Sequence, residues 1–349
     1  MKVSVKWLKE LVDFDLPVEE LASRLTDAGL EVENITTLGT GLDNVVVGEI
    51  KKVTPHPQAD KLSVCMVSVG TEDLQIVCGA PNVAEKAKVP VALIGATLPA
   101  GMQITKSNLK GVESFGMICS EKELEIGEFE GGIMILDPHL KAGESIASAL
   151  NLEDHILDIA LTPNRPDWLS MIGVAREVAA LCGSRIKDIQ INLHEGEKTA
   201  GEMVEVEIDD PLGCPRYAAR IIEDIKIADS PFWLKRRLYS AGMRSINNVV
   251  DITNLVMLEL GHPLHAFDCR LFKQKKVVVR RAGDKQKFTT LDQVERTLNQ
   301  EILLITDGTK PVAIGGIMGG LESEVTSRTH TVLMPNDFTR HKIQTRCQP

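Results

Sequence analysis

No apolar run in the chain reaches the ~18 residues that a membrane-spanning helix needs. The opening residues 1–7 (Met-Lys-Val-Ser-Val-Lys-Trp) lack the apolar core and small-residue cleavage site of a secretion signal, and read as a strand entering a helix. No two of the seven cysteines (Cys65, Cys78, Cys119, Cys182, Cys214, Cys269 and Cys347) form a Cys-x-x-Cys pair. An odd number of scattered thiols argues against a disulfide framework or zinc module, and for free thiols in a reducing cytoplasm. Basic excess is also missing. The net charge is -10, distributed as -4 over residues 1–38, -5 over 39–150 and -1 over 151–349. No segment has the basic footprint of a protein that holds nucleic acid by bulk charge. Aromatics make up only 4% of the chain.

What is present is ordinary globular composition, 43% apolar and 25% charged over 349 residues, enough for two or three domains. Residues 1–38 read as a small α/β unit. Trp7, Leu8, Leu11 and Val12 recur at helical spacing, Leu21, Ala22 and Leu25 line a second helix, and Gly29 stands where that helix stops. An alternating strand follows over 30–35, and Gly39-Thr40-Gly41 reads as a linker. From 39 to 150 the pattern becomes short strands, at 45–50, 62–69, 74–78, 89–94 and 132–136, which predicts a small β-barrel. Residues 151–203 read as a helical connector, with a helix from Asp167 to about Cys182 stopped by Gly183, then a polar stretch over 194–202. From 204 to 349, strands at 204–208, 217–222, 276–280, 303–305 and 312–314 alternate with helices near 230–241 and 249–260, a mixed α+β domain. The fold class expected is therefore α+β multidomain.

Three blocks in the barrel region carry a resemblance. They are residues 55–62 (Pro-His-Pro-Gln-Ala-Asp-Lys-Leu), 76–82 (Ile-Val-Cys-Gly-Ala-Pro-Asn) and 109–120 (Leu-Lys-Gly-Val-Glu-Ser-Phe-Gly-Met-Ile-Cys-Ser). Together they resemble the OB-type tRNA-binding domain of several aminoacyl-tRNA synthetases. An OB barrel offers a strand face and loops to nucleic acid. Gly79, Gly111 and Gly116 would admit a close backbone approach, and Lys51, Lys52, Lys61, Lys86, Lys88, Lys106 and Lys110 supply local charge. Asn82 and Ser114 complete the candidate contacts. Each glycine taken alone more often only makes a turn, and each lysine more often only solvates a face. With Phe115 and Phe129 the main aromatics here, shape and backbone contacts are expected to outweigh base stacking.

Further blocks follow in order at 159–177, 214–220, 242–254, 259–268 and 313–320. Behind the barrel, this series is similar to the beta subunit of bacterial phenylalanine–tRNA ligase, over residues 1 to about 333. The resemblance implies an N-terminal portion of that subunit, ending in a B3/B4-like editing domain. It implies tRNA(Phe) and an alpha subunit as partners, in an alpha2beta2 heterotetramer in the cytoplasm. Aminoacylation there uses ATP and Mg2+ on the full enzyme. No cofactor is expected on this chain, which lacks the aminoacylation site.

By the same resemblance the editing pocket takes in Arg244, Thr253, Asn254 and His265, with Ala266, Gly315, Gly316 and Gly319 lining the substrate. The chemistry fits. A mostly apolar synthetic site rejects the extra hydroxyl of tyrosine by only roughly a hundredfold, so a second site must cut the wrong ester. That needs an oriented water and oxyanion donors, not necessarily a metal. His265 would order or deprotonate the water, Arg244 would hold the tRNA 3′ end, and the Gly-Gly pairs would expose backbone amides. Alone, Arg244 reads as an ion-pair partner, His265 as a core histidine, and Thr253 and Asn254 as local hydrogen-bonders. His262-x-x-His265 with Asp268 also permits a metal reading, which Pro263 and the missing further ligand disfavour.

The family continues after residues 331–333 with Leu-Glu, whose glutamate helps recognise the tyrosine hydroxyl. Here Pro335 stands at that position, and residues 340–349 match nothing recognisable. Two alternatives therefore stay open: a non-catalytic tRNA-binding or scaffolding module, and a free-standing trans-editing hydrolase.

Overall fold

The computed structural model describes residues 1–129, 131–272 and 274–338. The expectation about residues 340–349 lies outside them. The chain divides into two compact units. The first comprises residues 1–169, 174–187 and 235–244, the second 170–173, 188–234 and 245–349.

The first unit opens with β1 (Lys2–Ser4), α1 (Val5–Leu11), α2 (Val18–Asp27) and β2 (Val32–Leu38). Ser4 caps α1, accepting from the Trp7 N–H at 2.9 Å and donating its hydroxyl to Asp154 at 2.6 Å. Trp7, Leu8, Leu11, Leu21, Ala22 and Leu25 are buried, the faces that helical spacing predicts.

The barrel follows: β3 (Val45–His56), β4 (Ala59–Ser68), β5 (Asp73–Cys78), β6 (Lys88–Leu93), β7 (Ser107–Leu109), β8 (Val112–Ser114) and β9 (Gly116–Ile118). Five strands form one antiparallel sheet in the order β5-β4-β3-β6-β9, and β7–β8 is a separate hairpin. The inward residues Ile50, Cys65, Val67, Ile76, Val89, Val91 and Ile118 form its core. Then come α3 (Ile146–Ala149), β10 (Asp154–Ile159) and α4 (Met171–Cys182). The stretch expected to be a helical connector thus also supplies a strand, and β10 lies between β1 and β2.

Two sequence expectations change here. Residues 132–136 form no strand, and only a single bridge joins Lys88 to Leu136. Asn82 takes the place of a neighbouring strand: it donates to the Ile133 carbonyl at 2.8 Å and accepts from the Ile133 N–H at 2.9 Å. Gly39 is a fixed corner rather than loose linker. Its φ is +80°, and an added Cβ would lie 2.7 Å from the backbone carbon of Leu152.

The second unit contains α5 (Ala200–Met203), β11 (Glu205–Ile208) and β12 (Arg216–Ile222); α6 (Phe232–Ser240) crosses the division between units. Then follow α7 (Asn248–Leu260), β13 (Phe267–Asp268), β14 (Lys276–Arg281), β15 (Gln286–Thr289) and β16 (Glu295–Leu298). The chain continues through β17 (Leu303–Thr306), β18 (Pro311–Ile314), β19 (Met318–Gly319) and β20 (Val332–Phe338). One sheet runs β11-β14-β17-β18-β19, with β11 parallel to β14 and the rest antiparallel. A second, antiparallel sheet runs β12-β20-β13. Helices together with largely antiparallel sheets in both units make the chain an α+β multidomain protein.

Gly39→Ala would combine a left-handed backbone with a backbone clash, so it should destabilise the first unit by about 1–3 kcal/mol. Chemical denaturation would show this as a lowered midpoint; an unchanged midpoint would mean that the corner is not rigid.

Candidate functional site

The three barrel blocks converge. His56 is buried, accepts at Nδ1 from the Gln58 N–H at 3.0 Å, and its Nε2 meets the Leu109 carbonyl at 2.9 Å. That pairing assigns the Nε2–H tautomer and ties the first block to the third. Ser114 joins the second and third. Its hydroxyl accepts from the Val77 N–H at 3.1 Å and donates to the Gly116 carbonyl at 3.0 Å. Gly79, Ala80, Pro81, Leu109, Ser114 and Gly116 line one cleft of about 560 Å³.

Not every candidate faces that cleft's solvent. Ser114 is 2% exposed and Asn82 is committed to Ile133, so both hold the barrel together rather than presenting themselves to a partner. Lys51 pairs with Glu49 at 2.7 Å, and Lys88 pairs with the same carboxylate. The two ammonium groups hold Glu49 well below the usual carboxylate range. Lys52, Lys61 and Lys110 are exposed without an ion pair among the described residues. Lys110 (φ +49°) and Gly111 (φ +88°) form the two-residue turn of the β7–β8 hairpin, the left-handed pair that such a turn requires. The fold thus places an unpaired cation at a hairpin tip. One face of Phe115 is covered by the Lys106 ammonium 4.9 Å from the ring centre.

In the second unit the focus is His265. Its ring packs edge-on against Phe267, 4.5 Å between centres at 68°. Its Nε2 is shut off from solvent and has no hydrogen-bond partner. Burial alone pulls the imidazole down to about 4, so it is neutral at physiological pH. Gly319 makes the room: a Cβ there would sit 2.7 Å from both Cε1 and Nε2 of His265. The sequence reading expected Gly319 and its neighbours to offer amides. Instead Gly319 opens space, and the Gly315 N–H is already bonded to the Leu303 carbonyl at 2.9 Å. Gly316 is exposed in the tight turn between β18 and β19, with φ +71°.

Ala266 is buried among Val325 and Val332. Thr253 turns its hydroxyl onto the Val250 carbonyl at 2.6 Å, which is the local reading. Asn254 is half-buried and makes no side-chain hydrogen bond among the described residues. Arg244 is the last residue of the segment grouped with the first unit. Pro335 is buried in β20, opposite Ala219 of β12. On the other edge of β20, pairing with β13 ends at Phe267–Leu333; continuing that register two residues would set His265 opposite Pro335.

The metal reading of His262, His265 and Asp268 gains no support, since no group of three metal-binding side chains is assembled among the described residues. Asp268 is taken up by Arg270 and by the Thr329 hydroxyl at 2.6 Å. Burial raises its carboxyl, but these bonds outweigh burial and hold it low. Sequence reasoning missed Asp251, which is 0% exposed and accepts from Ser230, Ser245 and Ile246. An acid in the first turn of the predicted helix was the available signal.

Comparison with known proteins first gives the class. The tRNA binding domain profile matches residues 45–145, and the B3/4 domain profile matches residues 213–348. Curated relatives then narrow the comparison. The chain is 49% identical to the phenylalanine–tRNA ligase beta subunit of Syntrophus aciditrophicus over 97% of its own length. It is 50% identical to that of Clostridium acetobutylicum over 95%, and 46% identical to that of Bacillus licheniformis over 96%. Over nearly all of its own length the chain is thus similar to phenylalanine–tRNA ligase beta subunits. It spans 42% of the length of each of these relatives.

Gly319→Ala would push the His265 ring off Phe267, and should cost about 1–3 kcal/mol while the protein still folds. Thermal melting combined with a shift of the His265 ring resonances would show it. Unchanged ring resonances would refute the packing role given to Gly319.

Proposed function

We propose that this chain is the tRNA-engaging and proofreading portion of a phenylalanine–tRNA ligase. In this reading the barrel contacts tRNA(Phe) with Lys52, Lys61 and the Lys110 hairpin, and the B3/4 domain hydrolyses Tyr-tRNA(Phe). Synthesis of Phe-tRNA(Phe), with ATP and Mg2+, belongs to an alpha2beta2 assembly in the cytoplasm whose aminoacylation site is on the alpha subunit. Among the described residues, no group of three His, Cys, Asp or Glu side chains is assembled that could hold a metal ion. No helix among the described residues is long and apolar enough to cross a membrane.

The observation that carries the proofreading reading is the open Nε2 valence of His265 beside Gly319. A buried nitrogen without a partner costs roughly 1–3 kcal/mol, and a bound water or substrate atom would recover that cost. With its basicity lowered to about 4, the imidazole is a weak proton acceptor near pH 7 but a good hydrogen-bond acceptor. Its role is therefore to orient the attacking water at Nε2. Asn254, with uncommitted amide hydrogens, is assigned the oxyanion that forms as water adds to the ester carbonyl. Arg244 grips the tRNA 3′ end through phosphate.

The test is deacylation of purified Tyr-tRNA(Phe) by this chain. Wild type should exceed background, and His265→Ala should lose on the order of a hundredfold. Because His265 stays neutral, the rate should hold level from about pH 7 to about pH 5 and fall only as the imidazole protonates toward 4. Background rates for both folded proteins would remove the hydrolase reading and leave a tRNA-binding and scaffolding module.

A further inference from the structure

We infer that the barrel cleft admits one unstacked nucleobase carrying an exocyclic amine, and that Glu123 is the residue that selects it. The inference deepens the tRNA-binding reading and rests on it for the source of the base. The cleft, about 560 Å³, lies between the end of β5, the β7–β8 hairpin, β9 and residues 131–133. That volume suits a group of nucleoside size. No lysine, arginine or histidine is among its described lining residues, so the cleft itself offers no cation to a phosphate. The one charged side chain among them is Glu123. The group that enters must therefore bring a hydrogen-bond donor and no negative charge.

Glu123 is held in place for this. Its Oε2 accepts the Ser120 N–H at 2.6 Å and the Ser120 hydroxyl at 2.8 Å, and Ser120 is buried. Its Oε1 has no hydrogen-bond partner, and the carboxylate no ion pair, among the described residues. Burial first, and the Glu123 charge with it, push the Cys78 thiol up; Cys78 is itself in the lining, so the charge stands close to the cleft floor. Ile104, Met117 and Ile118 add apolar surface on which a flat ring can lie. An acceptor in such surroundings is electrostatically stronger than in water. A simple amine would also satisfy Oε1, but the neighbouring cation favours a nucleotide. Leu109 lines the cleft, and Lys110 follows it at the hairpin tip, exposed and without an ion pair among the described residues. A nucleotide meets both conditions, with its base in the cation-free cleft and its phosphate at Lys110. Cytosine presents an amine where uracil presents a carbonyl oxygen, which the carboxylate repels.

The test titrates the full chain with cytidine and uridine trinucleotides and follows the backbone amides by NMR. The cytidine probe should bind about tenfold more tightly than the uridine probe, with shifts at residues 77–81 and 116–118. Glu123→Gln keeps the size and an acceptor for Ser120 but adds amide donors, and should bring the two affinities together. Ser107→Trp serves as the second variant should Glu123→Gln fold poorly. It changes an exposed lining position, fills the cleft, and should weaken the cytidine probe by about tenfold. Equal affinities in wild type, or a cytidine preference that survives Glu123→Gln, overturns the inference. Binding of tRNA(Phe) to the same chain is measured in parallel. If tRNA(Phe) fails to bind while the cytidine preference holds and depends on Glu123, the tRNA reading falls and the base site stands. If tRNA(Phe) binds but neither trinucleotide does, the base site is overturned and the tRNA reading stands.

Discussion

A polar group taken out of water must find a partner or cost roughly 1–3 kcal/mol, and that constraint shapes both candidate sites. Where strands do not supply the partner, single side chains do. Asn82 serves both backbone groups of Ile133, Asp251 gathers Ser230, Ser245 and Ile246, and Asp268 takes Thr329 and Arg270. Each of these fixes a neighbouring loop through side-chain hydrogen bonds. His265 Nε2 departs from the pattern, buried and unpartnered beside Phe267 and Gly319, as do the buried Ser184 Oγ and Arg236 Nη1 elsewhere.

The same economy divides the barrel candidates. Side chains that make the fold, Asn82 and Ser114, cannot also serve a partner, because their hydrogen-bonding capacity is used internally. Lys52, Lys61 and Lys110, by contrast, are exposed and make no ion pair among the described residues, which is why the proposed tRNA contact is assigned to them. With a net charge of -10 the chain cannot attract RNA as a whole. The Lys110-Gly111 turn is the clearest instance of backbone geometry placing one of those cations.

Much of the fold was legible because periodicity reports burial. The alternation over 62–69 became β4, the apolar stretch over 249–260 became α7, and the spacing of Trp7, Leu8 and Leu11 marked the buried face of α1. The strand expected over 132–136 failed because alternation cannot reveal that a side chain, Asn82, already occupies the pairing groups of Ile133. Gly39 looked like linker because its crowding against Leu152 depends on a contact more than a hundred residues away. Within the candidate site, residue types were legible only through family resemblance. The approach of Gly319 to His265, the commitment of the Thr253 hydroxyl to its own helix, and the hydrogen bonds gathered by Asp251 all depend on tertiary geometry that no local pattern encodes.

The most direct test of the open imidazole is its titration, followed by NMR of the His265 ring in the intact chain. Burial without a partner should keep the ring neutral until about pH 4, and the folded state should accordingly lose stability as pH falls from the ordinary value of 6.5 toward that point. A His265 midpoint near 6.5, or a ring already protonated at neutral pH, would show that the nitrogen is solvated or paired and would contradict the account.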